Sequence, residues 1–298
     1  GLMETFIAAG GTFVPQVAIN KIIVEGGKAT GIELVNGRTV RAKQFVASTL
    51  NVHQTFEELV GRHQLTPAFN QKLDKFEYTN WTIFGVHFAL HESPNMKAAA
   101  FDPNINRTMK WSLGAETFED LMSAYADIRA NRVPKIVQFG SGALSMLDPT
   151  NSPPGKHNTY AWHVMPYDPD LGGQDYEEFK KEFTQKIIEV FARYAPNMTS
   201  KNIIATHTYT AREYAQEMIN MRNGDIFMGT FSAEQVMYNH FGYRSPIPNL
   251  YMAGSAAHPG GAISGGAGYI SAGLIAQDLG VKPWWKPWNA KEDLAKLA

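Results

Sequence analysis

From Thr12 to Thr49 short apolar stretches are broken by glycine and asparagine at short intervals. Thr12-Phe13-Val14-Pro15 and Val17-Ala18-Ile19 predict a short strand, and Lys21 to Glu25 the next. Gly26-Gly27 makes a hairpin turn into Ala29 to Val35, and Asn36-Gly37 makes a second into Arg38 to Ala42. The apolar run Gln44 to Thr49 follows, so this segment predicts a β-meander leading into a buried strand. Before it, Gly1 to Gly11 has the spacing of the last turns of an amphipathic helix closed by glycine. Leu2, Met3, Phe6 and Ile7 mark its buried face, as though the chain begins inside an element.

From Gly61 the pattern lengthens. Trp81 to Leu90 alternates as a strand, Ala115 to Ala130 suits a helix, and Lys135 to Ser145 and Asn158 to Met165 suit strands. Pro149 to Gly155 has the composition of a loop. Asp175 to Ala195 carries Phe179, Phe183, Ile187, Ile188 and Phe191 at helical spacing with charge opposite, and Ile203 to Tyr209 predicts another strand. The order is that of a mixed α/β chain in which an α+β domain is inserted between the opening meander and a closing glycine-rich unit.

That closing unit carries the candidate chemistry. A short apolar run, Asn249 to Ala253, passes into Gly254-Ser255-Ala256-Ala257-His258-Pro259-Gly260-Gly261-Ala262-Ile263-Ser264-Gly265-Gly266-Ala267-Gly268, and Tyr269 to Leu279 continues with helical spacing. Strand, glycine-rich turn and helix N-terminus form a geometry suited to an anion such as a pyrophosphate. No Gly-Lys-Ser/Thr follows, so it is not a phosphate-binding P-loop. Gly266 to Ser271 approaches Gly-x-Gly-x-x-Gly but ends in serine and follows no strand.

Composition narrows the chemistry further. Lys plus Arg number 27 against 28 Asp plus Glu, which gives no field to recruit nucleic acid. Cysteine is absent, excluding disulfides, thiolate zinc and iron–sulfur clusters, so redox chemistry here requires a bound cofactor. The histidines show no metal-ligand spacing on one helix, and no metal is predicted. No apolar run approaches the roughly 18 residues of a membrane span, and no signal peptide opens the chain. A cytoplasmic location is expected. The tail Lys282 to Trp288, with three tryptophans in five residues, either packs on the protein's own surface or makes weak peripheral contact with a membrane surface.

Pro246-Ile247-Pro248-Asn249-Leu250-Tyr251, then Gly254 to Gly261 with its His-Pro-Gly-Gly, then Gly265-Gly266-Ala267-Gly268 resemble the C-terminal signature of the carotenoid (phytoene) desaturase-like FAD-dependent oxidoreductases. Asn223 to Ile226 and Ser232 to Gln235 look like the segment that precedes it. Gly10-Gly11, the Ile19 to Gly31 hairpin and Val46 to Thr49 fit the family's second portion of the FAD domain. The resemblance implies a partial FAD/NAD(P)-binding Rossmann-like domain at 1–60 and 223–298, with a substrate domain at 61–222. It implies that Gly254 and Ser255 present backbone N–H groups to the flavin's ribityl–phosphate arm, and that the helix after Gly265-Gly266 adds its positive end. Pro259, Gly260 and Gly261 would lie against the isoalloxazine, and the main chain of Ile19 would meet adenine. His258 is either a catalytic residue beside the flavin or a structural histidine of the turn. Trp81, Phe84, Phe88, Trp162, Tyr209 and Tyr214 either line an apolar substrate tunnel or form core.

The family's N-terminal strand, Gly-x-Gly-x-x-Gly and ribose-binding acid are not found in these residues. The resemblance therefore implies the C-terminal portion of such an enzyme: a subunit of a split protein, a proteolytic product or part of a longer chain. Alone it is expected to bind FAD weakly and to be inactive, with the missing N-terminal portion as partner and a small apolar organic molecule as substrate. A non-catalytic interaction module derived from the same fold is the alternative.

Overall fold

The computed structural model describes residues 1–261, 265–283, 285–286 and 289–296. In chain order the elements are α1 (Leu2–Ala8), β1 (Ile19–Glu25), β2 (Lys28–Leu34), β3 (Thr39–Arg41), β4 (Val46–Ser48), α2 (Pro67–Asp74), β5 (Trp81–Leu90) and β6 (Trp111–Leu113). They continue as α3 (Phe118–Arg129), β7 (Phe139–Ser141), α4 (Leu144–Leu147), β8 (His157–Pro166), α5 (Tyr176–Tyr194), β9 (Ile203–Tyr209), α6 (Ala211–Glu217), β10 (Leu250–Met252), α7 (Gly266–Asp278) and α8 (Ala290–Ala295). A π-helical stretch, Gln54–Val60, and short 3-10 turns connect them. The architecture is the mixed α/β one that the patterning predicts.

Two compact units divide the chain: Gly1–Glu77 with Phe227–Ala298, and Tyr78–Ile226. The sequence boundaries at 60/61 and 222/223 differ from these for a packing reason. Phe69 and Phe76 lie edge-on to Phe241 at 5.3 and 5.4 Å, and the Gln235 side-chain amide donates to the Glu77 carbonyl at 2.8 Å. Residues 61–77 thereby share a core with the C-terminal segment.

In the first unit β1, β2 and β3 form the antiparallel meander, with Ile22 opposite Ile32 and Ile32 opposite Val40. The expected strand from Thr12 does not form, and the ladder begins only at Ile19. Pro15 lacks the N–H a ladder needs. β4 and β10 pair in parallel, Leu250 beside Val46 and Met252 beside Ser48, so segments near the two ends of the sequence share one pair of strands; β10 is buried, while in β4 only Ser48 is and Ala47 is exposed. α1 forms where predicted, but its Leu2, Met3, Phe6 and Ile7 are all exposed, Leu2 by 93%; the expected burial of that face is not seen. Trp285 lies against Tyr269 of α7 at 6.3 Å between ring centroids, while Trp284 and Trp288 lie outside the described residues.

The second unit is a five-stranded sheet in the order β6-β7-β8-β5-β9, all neighbours antiparallel. Asp175 caps α5 by accepting from the Glu177 and Glu178 amides, and the helix then lays Phe179, Phe183, Ile187, Val190 and Phe191 on the sheet. Phe84 and Phe88 of β5 meet this face, 5.1 Å from Phe183 and 6.1 Å from Phe191. They are core, not tunnel lining. The predicted strand at 135–145 shrinks to β7, and its end turns into α4.

His163 of β8 is buried within this core, its Nδ1–H donating to the Gln138 carbonyl at 2.6 Å while Nε2 has no partner among the described residues. Burial pushes its pKa from 6.5 down to about 4, against the opposing pull of that carbonyl. The neutral ring is therefore favoured in the folded state. Its contribution is intact above pH 6.5, falls as the unfolded chain takes up the proton, and levels off below about pH 4, a loss on the order of 3 kcal/mol. Urea titrations between pH 7 and 4 are expected to show this decline, and His163→Met is expected to flatten it. Phe183→Ala, which empties the centre of the helix–sheet contact, is expected to cost about 4 kcal/mol in the same titrations at neutral pH.

Candidate functional site

The glycine-rich turn is placed by the β4–β10 pair. Leu250, Tyr251 and Met252 are buried, and the Ala253 amide donates to the Ser48 carbonyl at 2.8 Å, continuing the parallel ladder one residue past β10. The chain then passes so close to the end of β4 that a Cβ on Gly254 would stand 2.5 Å from the Thr49 carbonyl oxygen. Glycine is required there by the protein's own backbone. The Ala257 amide closes a turn on the Gly254 carbonyl at 3.0 Å, with Ala256 and Ala257 buried beneath it.

Beyond that turn the chain moves outward. His258 and Pro259 are exposed, joined by a cis peptide bond, and the Tyr243 hydroxyl donates to the His258 carbonyl. The Gly260 amide donates to the Ala257 carbonyl at 2.8 Å and the Gly261 amide to the Phe227 carbonyl at 3.1 Å. Ala262, Ile263 and Ser264 lie outside the described residues. Gly265 then begins α7 in the left-handed region at φ 66°, where no heavy atom of the described residues stands within 4 Å of an added Cβ; at Gly268 the nearest is the Ala253 carbonyl oxygen at 3.7 Å.

The glycines of this segment thus fall into two groups. Gly254 is filled by the protein itself, whereas Gly260, Gly265 and Gly268 leave ordinary or open space. α7 has no side-chain cap and no acidic residue in its first turn. Its leading N–H groups cannot pair within the helix, and the macrodipole adds positive potential there. A helix start of this kind suits a negatively charged group. Ile19 starts β1 and borders a separate, mainly apolar groove of about 760 Å³ lined by residues between Thr12 and Val40; no described residue of the glycine turn is among them.

A small cavity of about 120 Å³ adjoins the His-Pro turn. Phe227, Phe231, Thr230, His240, His258 and Pro259 are among its walls. His240 is half-buried, edge-on to Phe76 at 5.8 Å, with Nδ1 3.3 Å from the Phe241 carbonyl. Burial lowers its pKa, opposed by that carbonyl, and the charges of Lys72 and His258 lower it further. Sequence reasoning tested His240 only for metal spacing and missed it, because its neighbour His258 is brought close by the fold alone.

In the second unit the predicted aromatics separate by sheet face. Trp162, Gly85 and Tyr209 form one cross-strand row on the face opposite α5, with Tyr214 stacked on Tyr209 at 5.5 Å and its hydroxyl 3.1 Å from where a Gly85 Cβ would stand. Trp81, at the start of β5, is half-buried.

No family model matches the chain. It is 26% identical to a subunit of the limonene dehydrogenase of Castellaniella defragrans over 95% of its own length and 54% of that protein's. It is 26% identical to a lycopene-forming phytoene desaturase of Paracoccus over 94% and 53%, and 27% identical to pyridine nucleotide-disulfide oxidoreductase domain-containing protein 2 of Mus musculus over 91% and 48%. The solved cyclohexylamine oxidase of Brevibacterium oxydans shares the fold, with a TM-score of 0.52 at 15% identity over 88% of this chain and 48% of that one. The chain spans about half the length of the curated relatives it matches. With the strand pair, the glycine turn and α7 together, the chain is similar to the C-terminal part of desaturase-like FAD-dependent oxidoreductases.

Proposed function

We propose that the chain supplies the flavin-ring side of an FAD site in an oxidoreductase that takes hydride from an apolar or ring-containing organic substrate. The observation that carries this reading is the change along the turn from a glycine filled by its own backbone, Gly254, to positions with room for a guest at Gly260, Gly265 and Gly268. The isoalloxazine, when bound, supplies the electron sink for hydride. The chain's own residues bind and orient. Gly254 and Ser255 would direct backbone N–H groups to the ribityl–phosphate arm, and the first turn of α7 would hold negative charge. Pro259, Gly260 and Gly261 would admit the flat ring, and the main chain of Ile19 would meet adenine. His258, exposed at the turn, would stand at the edge of the ring.

The N-terminal dinucleotide-binding portion is the partner this reading requires. The exposed apolar residues of α1 offer it a surface, since not one residue of that helix is buried. A cytoplasmic location belongs to the same reading, because a chain free of cysteine needs no oxidising compartment.

Co-expression with the N-terminal portion of a close relative, followed by absorbance spectroscopy of the purified complex, tests the reading. A yellow complex with bound FAD is expected; a colourless one would favour the non-catalytic interaction module. In that complex Gly268→Val, whose Cβ meets the Ala253 carbonyl oxygen only at ordinary contact distance, is expected to weaken FAD binding at least about tenfold by fluorescence titration, with an unchanged melting temperature. The pair Leu2→Ser and Ile7→Ser is expected to leave the stability of the chain unaltered within about 0.5 kcal/mol, while weakening assembly about tenfold in a sedimentation assay.

A further inference from the structure

β9 is the outermost strand of the second unit's sheet, and the direction of its main-chain groups follows from two hydrogen bonds at the ends of β5. The Tyr167 amide donates to the Asn80 carbonyl at 2.7 Å just before β5, and the His91 amide donates to the Asn202 carbonyl at 2.9 Å just after it. Bonded pairs alternate along an antiparallel ladder, so the even-numbered residues of β5 bond to β8 and the odd-numbered ones to β9. Gly85 stands opposite Tyr209 and His87 opposite His207. Those two residues of β9 therefore turn their N–H and C=O groups to β5, while Thr206 and Thr208 turn theirs outward. On that side neither has a backbone hydrogen bond to another described residue.

An open edge pairs readily with any extended chain, and native proteins guard such edges with charge, proline, bulges, short length or a covering element. Ile203–Tyr209 is seven residues long, rich in β-branched side chains, and holds no proline, lysine, arginine or carboxylate. Its one irregularity falls between the pairs Ala89–Ala205 and Leu90–Ile203, so the ladder from Ala205 to Tyr209 is regular. The opposite edge of the sheet, β6, has only three residues. A groove of about 630 Å³ lies beside β9, with Thr206 on one side and Thr184, Ile188, Glu182, Lys186 and Glu189 of α5 among its other walls. The Thr184 and Thr208 hydroxyls meet at 2.9 Å, which puts the side chains of Thr206 and Thr208 on the α5 face. A strand added at this edge would have room on that face for every second side chain.

We propose that β9 takes up an extended segment of the N-terminal portion as a sixth strand, bonded to the main chain of Thr206 and Thr208, with alternate side chains entering the groove beside α5. The unguarded edge names this occupant: cover supplied by the same enzyme makes a guard unnecessary, whereas an edge open in the finished protein would need one. The chain spans about half the length of its curated relatives, which leaves ample sequence to supply a strand. The inference rests on the reading of the N-terminal portion as partner and adds where it binds; it requires no flavin.

Hydrogen exchange read residue by residue, in the co-expressed complex and in the chain alone, is the test. The Thr206 and Thr208 amides are expected to exchange at least about a hundredfold more slowly in the complex, with the β5 amides unchanged. Thr206→Pro removes one outward N–H at an edge position and leaves the bonds to β5 in place. It is expected to weaken assembly at least about tenfold by sedimentation, while the melting temperature of the chain stays within about 3 °C. Unchanged exchange at both threonines in an assembled complex would overturn the proposal, whatever the variant does. So would protection in the chain alone that grows with its concentration, which would give the edge to a second copy. Protection in a colourless complex would leave this site standing while the flavin reading fails, and bound FAD with both threonines exchanging as before would do the reverse. Failure of the two portions to assemble would overturn both.

Discussion

The parallel pairing of β4 with β10 is the contact on which the first unit depends. It joins Val46 to Leu250 and Ser48 to Met252 across most of the chain, a closure that carries a substantial entropic penalty. Burial of Leu250 and Met252 and the Ser48–Thr55 hydroxyl pair at 2.7 Å hold it. A parallel pair needs a long crossover, and the inserted β5–β9 unit, with its own helix-covered core, provides one. The ladder's extension through Ala253 fixes where the glycine turn starts and how closely it passes Thr49.

Everything chemical in the first unit follows from that placement. Gly254 serves the backbone; the glycines after it serve space. Between them the His258–Pro259 segment turns outward and meets Phe227, Phe231 and His240, which arrive from a stretch preceding β10. One short segment therefore adjoins both the helix N-terminus that suits an anion and a cavity of about 120 Å³ that His240 also lines.

Local signals were legible where local physics decides the outcome. α5 was readable because five apolar side chains recur on one face and Asp175 caps its start; the hairpins were readable from Gly26-Gly27 and Asn36-Gly37. The glycine turn and its helix were readable as a unit, and the family resemblance rests on them. What escaped depends on the third dimension. The alternation in β5 separates two faces but does not say which one meets α5, so Phe84 and Phe88 could not be told from Trp162. Residues 61–77 join the first unit through Phe241, a contact distant in sequence. His240 gains meaning only beside His258, and the apolar face of α1 is unburied within this chain although its spacing is that of a buried helix.

Hydrogen–deuterium exchange of the assembled protein, with and without FAD, tests most directly whether the turn at 254–268 is the flavin-ring side of the site. Slower exchange on adding FAD at the amides of 260–261 and 265–268, together with unchanged rates in the β5–β9 sheet core, is the predicted result. FAD that binds and leaves the 260–268 amides exchanging as before would contradict the assignment.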